Sequence, residues 1–291
     1  MSTVVLLTIT GLALGALYFL IAAGISLAFG LMRVLNFSHG VFLTIGAYAG
    51  YLVAGDGEPG TGRFVLMLLA GTLAGAAAAV VTELLLIRPL YGNEHAQLLV
   101  TVGLSFALVA LLEETAGSDP RGYHSPGWAT STAKIAGSSI RGNRFLAIVV
   151  AVLVLAALMA FLRRTRYGLI IRAGVENRAM VTALGIDVRR AFTLVFALGG
   201  AAAGLGGVIA GSYFGQVQPR VGTSLFIFAL IVIVIGGLGS LVGTAVSAVI
   251  VGLLQQFLNY YATGVGDLSV LALLALVLLT RPAGLFRSVT Q

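Results

Sequence analysis

Charge is scarce in this sequence of 291 residues. Asp, Glu, Lys and Arg make up 9% of it, against about 25% in an average soluble domain. With 17 basic and 10 acidic side chains, a soluble fold of this size cannot cover its surface. That excludes a soluble enzyme, a nucleic-acid binder and a disordered chain. Cysteine is absent, so there is no disulfide, no thiolate nucleophile and no Cys-based metal site. Lysine is nearly absent too: Lys134 alone lies in Ser131-Thr-Ala-Lys134-Ile. Without G-x-x-x-x-G-K-[ST] the chain is no P-loop ATPase. The three histidines, His39, His95 and His124, are far apart and form no H-E-x-x-H, so no zinc hydrolase and no cofactor are implied.

What remains is apolar. Hydrophobic residues make up 59% of the chain and glycine numbers 39; the mean hydropathy is +1.05. The apolar stretches are continuous rather than alternating, which disfavours a β-barrel. The expected fold is all-α: one polytopic helical membrane domain over 1–291. About 20 apolar residues make a crossing. Blocks of this kind fall at 4–30, 37–53, 64–87, 97–112, 145–162, 192–213, 225–235, 241–257 and 268–280. Several are short, so eight crossings with a re-entrant piece stand beside nine. The first block has no basic run before it and reads as a retained helix.

The net charge of +7 sits in short connectors, as the positive-inside rule expects. The densest run is Arg163, Arg164, Arg166, Arg172, Arg178, Arg189 and Arg190. If the loop 163–190 is cytoplasmic, Arg33, Arg88, Arg281 and Arg287 follow it there and the N-terminus is external. The polar connector 115–144, with Trp128, is then external as well. Small-residue faces recur at Gly71-Thr-Leu-Ala-Gly75 and in Gly199-Gly-Ala-Ala-Ala-Gly-Leu-Gly-Gly. Such faces ordinarily serve close helix packing in lipid.

Polar residues interrupt the apolar pattern at Arg33-Val-Leu-Asn-Phe-Ser-His-Gly40. Two readings stand. Asn36, Ser38, His39 and Gly40 line a cavity at membrane depth, with a helix starting near Ser38, or they form a tight cytoplasmic turn capped by Asn36 or Ser38. His39 could equally tie two helices together. A second interruption, Ile235-Gly-Gly-Leu-Gly-Ser240, places Gly237, Gly239 and Ser240 before another small-residue helix. The stretches 36–53 and 237–254 read as corresponding pieces of two halves. Glu83 reads as a partner of Arg88.

Within the basic loop, residues 172–185 have the apolar spacing of a short amphipathic helix. Arg172 and Glu176 form an i,i+4 pair, and Gly185 supplies the stop. A lipid-surface helix is one reading; its narrow stripe of small residues fits docking into a protein groove as the other.

Together these motifs resemble the permease subunits of bacterial branched-chain amino acid ABC transporters, in the first of their two permease types. The resemblance rests on Gly11-Leu-Ala-Leu-Gly-Ala-Leu-Tyr18, Phe29-Gly-Leu-Met-Arg-Val-Leu-Asn-Phe-Ser-His-Gly40, Arg88-Pro-Leu90 and Thr101-Val-Gly-Leu-Ser105. It continues through Glu176-Asn-Arg-Ala-Met-Val-Thr-Ala-Leu-Gly-Ile186 and Gly236-Gly-Leu-Gly-Ser240. It implies a non-enzymatic subunit of the inner membrane that forms a translocation path by alternating access. The implied partners are a second, dissimilar permease, two cytoplasmic ATPase subunits and a periplasmic binding protein, with membrane lipid around them and no nucleic acid. The expected path residues are Asn36, Ser38, His39, Gly40, Thr101, Ser105, Gly237, Gly239 and Ser240. The implied ATPase-coupling residues are Arg172, Glu176, Asn177, Arg178, Met180, Gly185 and Asp187. In the related coupling loops a glutamate is common six residues before the glycine; here Ala179 stands there and Glu176 is the acid. Urea, amides and sugars are alternative cargoes of similar permeases. An ion-coupled secondary transporter would need more intramembrane carboxylates than Glu83 provides.

Overall fold

In hydrocarbon every backbone polar group needs a partner within the chain, so long apolar blocks become helices. The computed structural model describes residues 2–32, 35–185 and 187–286. Nine helices account for the nine apolar blocks: α1 (Ser2–Met32), α2 (His39–Ala54), α3 (Thr61–Thr82), α4 (Glu94–Ala116), α6 (Gly142–Arg164), α8 (Val188–Phe214), α9 (Val221–Gly236), α10 (Leu241–Tyr261) and α11 (Val265–Thr280). A one-turn helix, α5 (Gly127–Thr130), and the loop helix α7 (Arg166–Ala183) lie in connectors, and α3 continues through a π-helical turn (Glu83–Ile87) and a 3-10 turn (Arg88–Leu90). Six helical segments are long and apolar enough to cross a membrane, and α2, α9 and α11 are shorter.

Capping chemistry extends several helices beyond their apolar blocks. Asn93 accepts a hydrogen bond from the Ala96 amide and starts α4, as Asn does at helix N-caps. Asp187 does the same for α8 through the Arg189 amide, and Gly215, at φ +70°, closes that helix. The connector 115–144 is more ordered than a polar linker. It carries β1 (Arg121–Gly122), which pairs antiparallel with β4 (Gln216–Val217), and a hairpin of β2 (Thr132–Ile135) and β3 (Ser138–Arg141). Ala136 and Gly137 both have positive φ, as a tight two-residue hairpin turn requires. Ser138 donates to the Ser2 carbonyl at 2.6 Å. The N-terminus therefore lies at the hairpin end of the bundle, opposite α7.

Helix α8 is the axis of the packing and touches α1, α2 and α3. Its glycines allow this. A methyl group built on Gly204 would strike the Gly71 carbonyl, and one on Gly200 would strike that of Gly75. The two small-residue faces read from the sequence are therefore packed on each other, the ordinary use of such faces.

Helices α2 and α9 start inside the bundle. His39, the first residue of α2, lies against Gly24, about 12 Å before the end of α1 at the helical rise. The Gly222 amide, at the start of α9, donates to Thr44 Oγ1 at 3.1 Å. The neighbouring Leu43 packs on Gly207, about 10 Å before the end of α8. The two short helices thus meet near their N-termini, Gly40 against Gly222, and run to opposite ends of the bundle. The two glycine-marked interruptions sit differently: residues 36–40 precede a short helix that starts inside the bundle, whereas Gly237 begins the turn into α10, a full-length helix.

Gly204→Val should place a branched side chain against the Gly71 carbonyl and destabilise the protein by about 1–3 kcal/mol, as overpacking does. Thermal unfolding of the purified protein in detergent measures this; an unchanged midpoint would contradict the α3–α8 contact.

Candidate functional site: a groove along helices α4 and α9

The ends of α2 and α9 leave an open groove beside α4. Its inner part is a cavity of about 440 Å³ walled by Phe37, Val102, Ser105, Phe226, Leu230 and Leu271, among others. Its outer part, of about 510 Å³, shares Ser105, Phe106 and Thr223 with the inner one and ends at Glu113 and Arg220. Arg220 Nε and Glu113 Oε1 are 2.6 Å apart, with the arginine side chain 74% exposed and the glutamate 23%. The inner part is almost wholly apolar in its side chains. The outer part adds hydroxyls and the charge pair.

The polar interruption before α2 forms one wall. Asn36 Oδ1 accepts from the Ser38 amide at 3.0 Å and from Ser38 Oγ at 2.6 Å. Ser38 occupies the N-cap position without capping the helix, since its hydroxyl is spent on Asn36. The His39 amide donates to the Asn36 carbonyl and the Val41 amide to the Ser38 carbonyl. These amides are thus occupied, and they do not point into an open cavity. Thr101 on α4 accepts from the Phe37 amide at 3.3 Å and holds the turn against the groove.

Among the sequence-derived path residues, Ser105 lines the groove. Asn36, Ser38 and Thr101 brace the turn that presents Phe37 to it. Gly40 is the contact with α9. The His39 ring enters the notch between Gly24 of α1 and Gly199 of α8. Its Nε2 and the Asn36 Nδ2 are buried with no hydrogen-bond partner among the described residues. Gly237, Gly239 and Ser240 lie at the far end of α9. There Gly239 packs on Gly30, Gly237 on the Phe286 carbonyl, and Ser240 caps α10 through the Gly243 amide.

The family described as "Branched-chain amino acid transport system / permease component" matches residues 7–280. The chain belongs to this family. The high-affinity branched-chain amino acid transport system permease protein LivH of Salmonella typhimurium is 30% identical over 94% of this chain and 92% of its own length. The corresponding protein BraD of Pseudomonas aeruginosa is 30% identical over 95% and 94%. A probable LivH of Methanocaldococcus jannaschii is 25% identical over 91% and 87%.

In this permease the loop helix α7 begins at Arg166, where Thr165 caps it through the Gly168 amide at 2.9 Å. It is not the single helix expected over 172–185. Asn177 breaks it, with φ −151° and ψ 92°, and its side chain accepts from the Met180 amide at 3.0 Å. Asparagine competes for backbone partners in this way and favours a cap over a helix interior. Gly185 has φ +77° and donates to the Thr182 carbonyl at 3.0 Å, which makes it the expected stop. Arg172, Met180 and Leu184 are exposed. Asp187 pairs with Arg190 at 3.3 Å while capping α8. The expected pair of Arg172 with Glu176 lies outside the described residues, as do the side chains of Arg178 and Ala179.

Glu83 is buried and does partner Arg88, at 3.2 Å. Two further residues were not legible as partners. Thr193 of α8 donates to Glu83 Oε2 at 2.9 Å and accepts from Arg88 Nη2 at 2.6 Å. Tyr91 donates to Glu83 Oε1. Burial, then this hydrogen bond, pushes the Tyr91 hydroxyl well above its ordinary range, so it remains a donor. The node joins the end of α3, the entry to α4 and the first turns of α8, the helix that follows α7. Glu113 and Arg220 also escaped sequence reasoning. The signal present was an arginine after Pro219 directly ahead of an apolar run, and an acid within the last turn of another.

Arg88→Ala should leave the buried Glu83 carboxylate without its counter-charge and lower the unfolding midpoint. Glu83→Gln keeps acceptor capacity for Tyr91 and Thr193 and should cost less. Unfolding midpoints of the two purified variants test the order, and the reverse ranking would remove Glu83 from the centre of the node.

Proposed function

We propose that this chain is one of two transmembrane subunits of an ABC importer in a bacterial inner membrane, with branched-chain amino acids as cargo. The second permease is a dissimilar paralogue, ATP hydrolysis belongs to two cytoplasmic subunits, and a periplasmic binding protein delivers the substrate. The observation that carries the reading is the groove along α4 and α9. It follows both helices for most of their length and is open on one face, as half of a path completed by a second subunit would be. The named relatives, described as high-affinity branched-chain amino acid permeases, support the cargo.

Coupling enters through α7. Its exposed Met180 and Leu184 offer an apolar ridge to an ATPase groove, and Arg172, Glu176, Asn177 and Arg178 share that segment. Gly185 and Asp187 hand displacement of α7 to α8. The node of Thr193, Glu83 and Arg88 then carries it to α3 and α4, which flanks the groove. In this scheme Asn36, Ser38, Gly40, Thr101 and Ser105 border the path, and His39 fixes the wall against α1 and α8. Gly237, Gly239 and Ser240 form the turn at its cytoplasmic end. The basic loop sets the orientation, with the N-terminus external and the C-terminus cytoplasmic.

Two measurements test this. Proline fixes φ near −65° and cannot occupy the Gly185 position. Gly185→Pro in the reconstituted four-part complex should abolish leucine uptake and binding-protein-stimulated ATP hydrolysis at normal protein level; uptake at the unmutated rate would dissociate α7 from coupling. Because the chain has no cysteine, Ser131→Cys should react with an impermeant thiol reagent in intact cells and Asn177→Cys should not. The opposite pattern would invert the topology.

A further inference from the structure

Charge is rare in this chain, and the groove ends at one of each sign. Three ion pairs occur among the described residues. Glu83–Arg88 is knitted into helix packing, and Asp187–Arg190 is an i,i+3 pair beside a helix cap. Glu113–Arg220 differs from both. It joins two helices across the mouth of a cavity, and Arg220 precedes a helix that begins inside the bundle. Among the described residues the Arg220 guanidinium donates only its Nε–H, to Glu113 at 2.6 Å, and the side chain is 74% exposed, so four of its five N–H donors remain for a ligand.

We propose that Glu113 and Arg220 form the outer substrate-selective site of the path, which admits an aliphatic amino acid as its zwitterion. This rests on the importer reading above and names the residues that read the cargo. The Arg220 guanidinium takes the α-carboxylate, for which its planar fork is suited. The Glu113 carboxylate takes the α-ammonium group, and the charge pair opens as the ligand's two charges replace it. The aliphatic side chain then points inward along Phe106 and Val109 toward the apolar inner cavity. The outer cavity, about 510 Å³, lies in the range of small-molecule sites, about 300–1,000 Å³. A sugar would leave both charges unanswered, and an amide or urea would answer them without net charge.

The test uses the full complex in proteoliposomes, with a single cysteine at Thr223→Cys. Leucine should slow labelling of this cysteine by a charged thiol reagent. Leucinamide, without the carboxylate, and isocaproate, without the ammonium group, should not. Arg220→Gln and Glu113→Gln should each weaken protection by roughly ten- to a hundredfold, the size of one charge-assisted hydrogen bond. The reciprocal double variant, Glu113→Arg with Arg220→Glu, separates a ligand site from a strut. Assembled complex that hydrolyses ATP but is not protected by leucine supports the site. Protection restored to the unmutated level by the exchange, or equal protection by all three compounds, or none by leucine, overturns it. Uptake is read separately. Leucine protection without leucine uptake keeps the site and rejects the importer reading, and uptake without protection does the reverse.

Discussion

Backbone that stops in the middle of a membrane-embedded bundle must have its polar groups answered by protein, and this constraint governs the structure. Helices α2 and α9 both begin there, and each is answered by neighbours. The turn before α2 satisfies itself through Asn36 and Ser38 and leans on Thr101. The first amide of α9 able to reach across donates to Thr44. The glycines of α8 bring α1, α2 and α3 close enough to wrap these ends. The groove is what remains between α4, α9 and α11 beside the turn that carries Phe37.

The interior is therefore held by two kinds of contact with different tolerances. Where glycine faces glycine, backbones approach so closely that no side chain can be added. Where polar groups meet, as at Glu83, the donors come from three segments at once and the loss of one leaves the others overexposed to charge. The first kind fixes distances between helices. The second joins the loop helix region to the wall of the groove and can shift as a unit, because its members move with α3, α4 and α8 rather than with a single helix.

The helical content, the positions of all nine apolar blocks, the Gly185 stop and the Glu83–Arg88 pair were legible in the sequence, because each depends on local composition or spacing. The partnership of α2 with α9 was not. Glycine punctuation at 236–239 is stronger than anything before α9, yet it marks an ordinary turn at the bundle end. The start of α9 carries Pro219 and Arg220 instead, and only the contact between Gly40 and Gly222 shows its depth. The break at Asn177 was hidden because the apolar spacing runs through it while the side chain's competition for a backbone amide decides the conformation. Thr193 joined the Glu83 node from 110 residues away, a distance at which no sequence pattern speaks.

Residues 83–87 form a π-helix, whose turns close five residues apart rather than four. Glu83 and Arg88 are separated by that interval. On an α-helix, with 3.6 residues per turn, residues five apart point to different sides; the wider turn restores their alignment. The segment is thus a phase shift written into the third crossing. Leu85 faces outward while Glu83 and Ile87 are buried, and everything after it is rotated relative to what an unbroken helix would present. Loss of one residue here would not shorten the helix in any important way, but it would turn the arginine from its carboxylate and change the direction from which the chain enters α4.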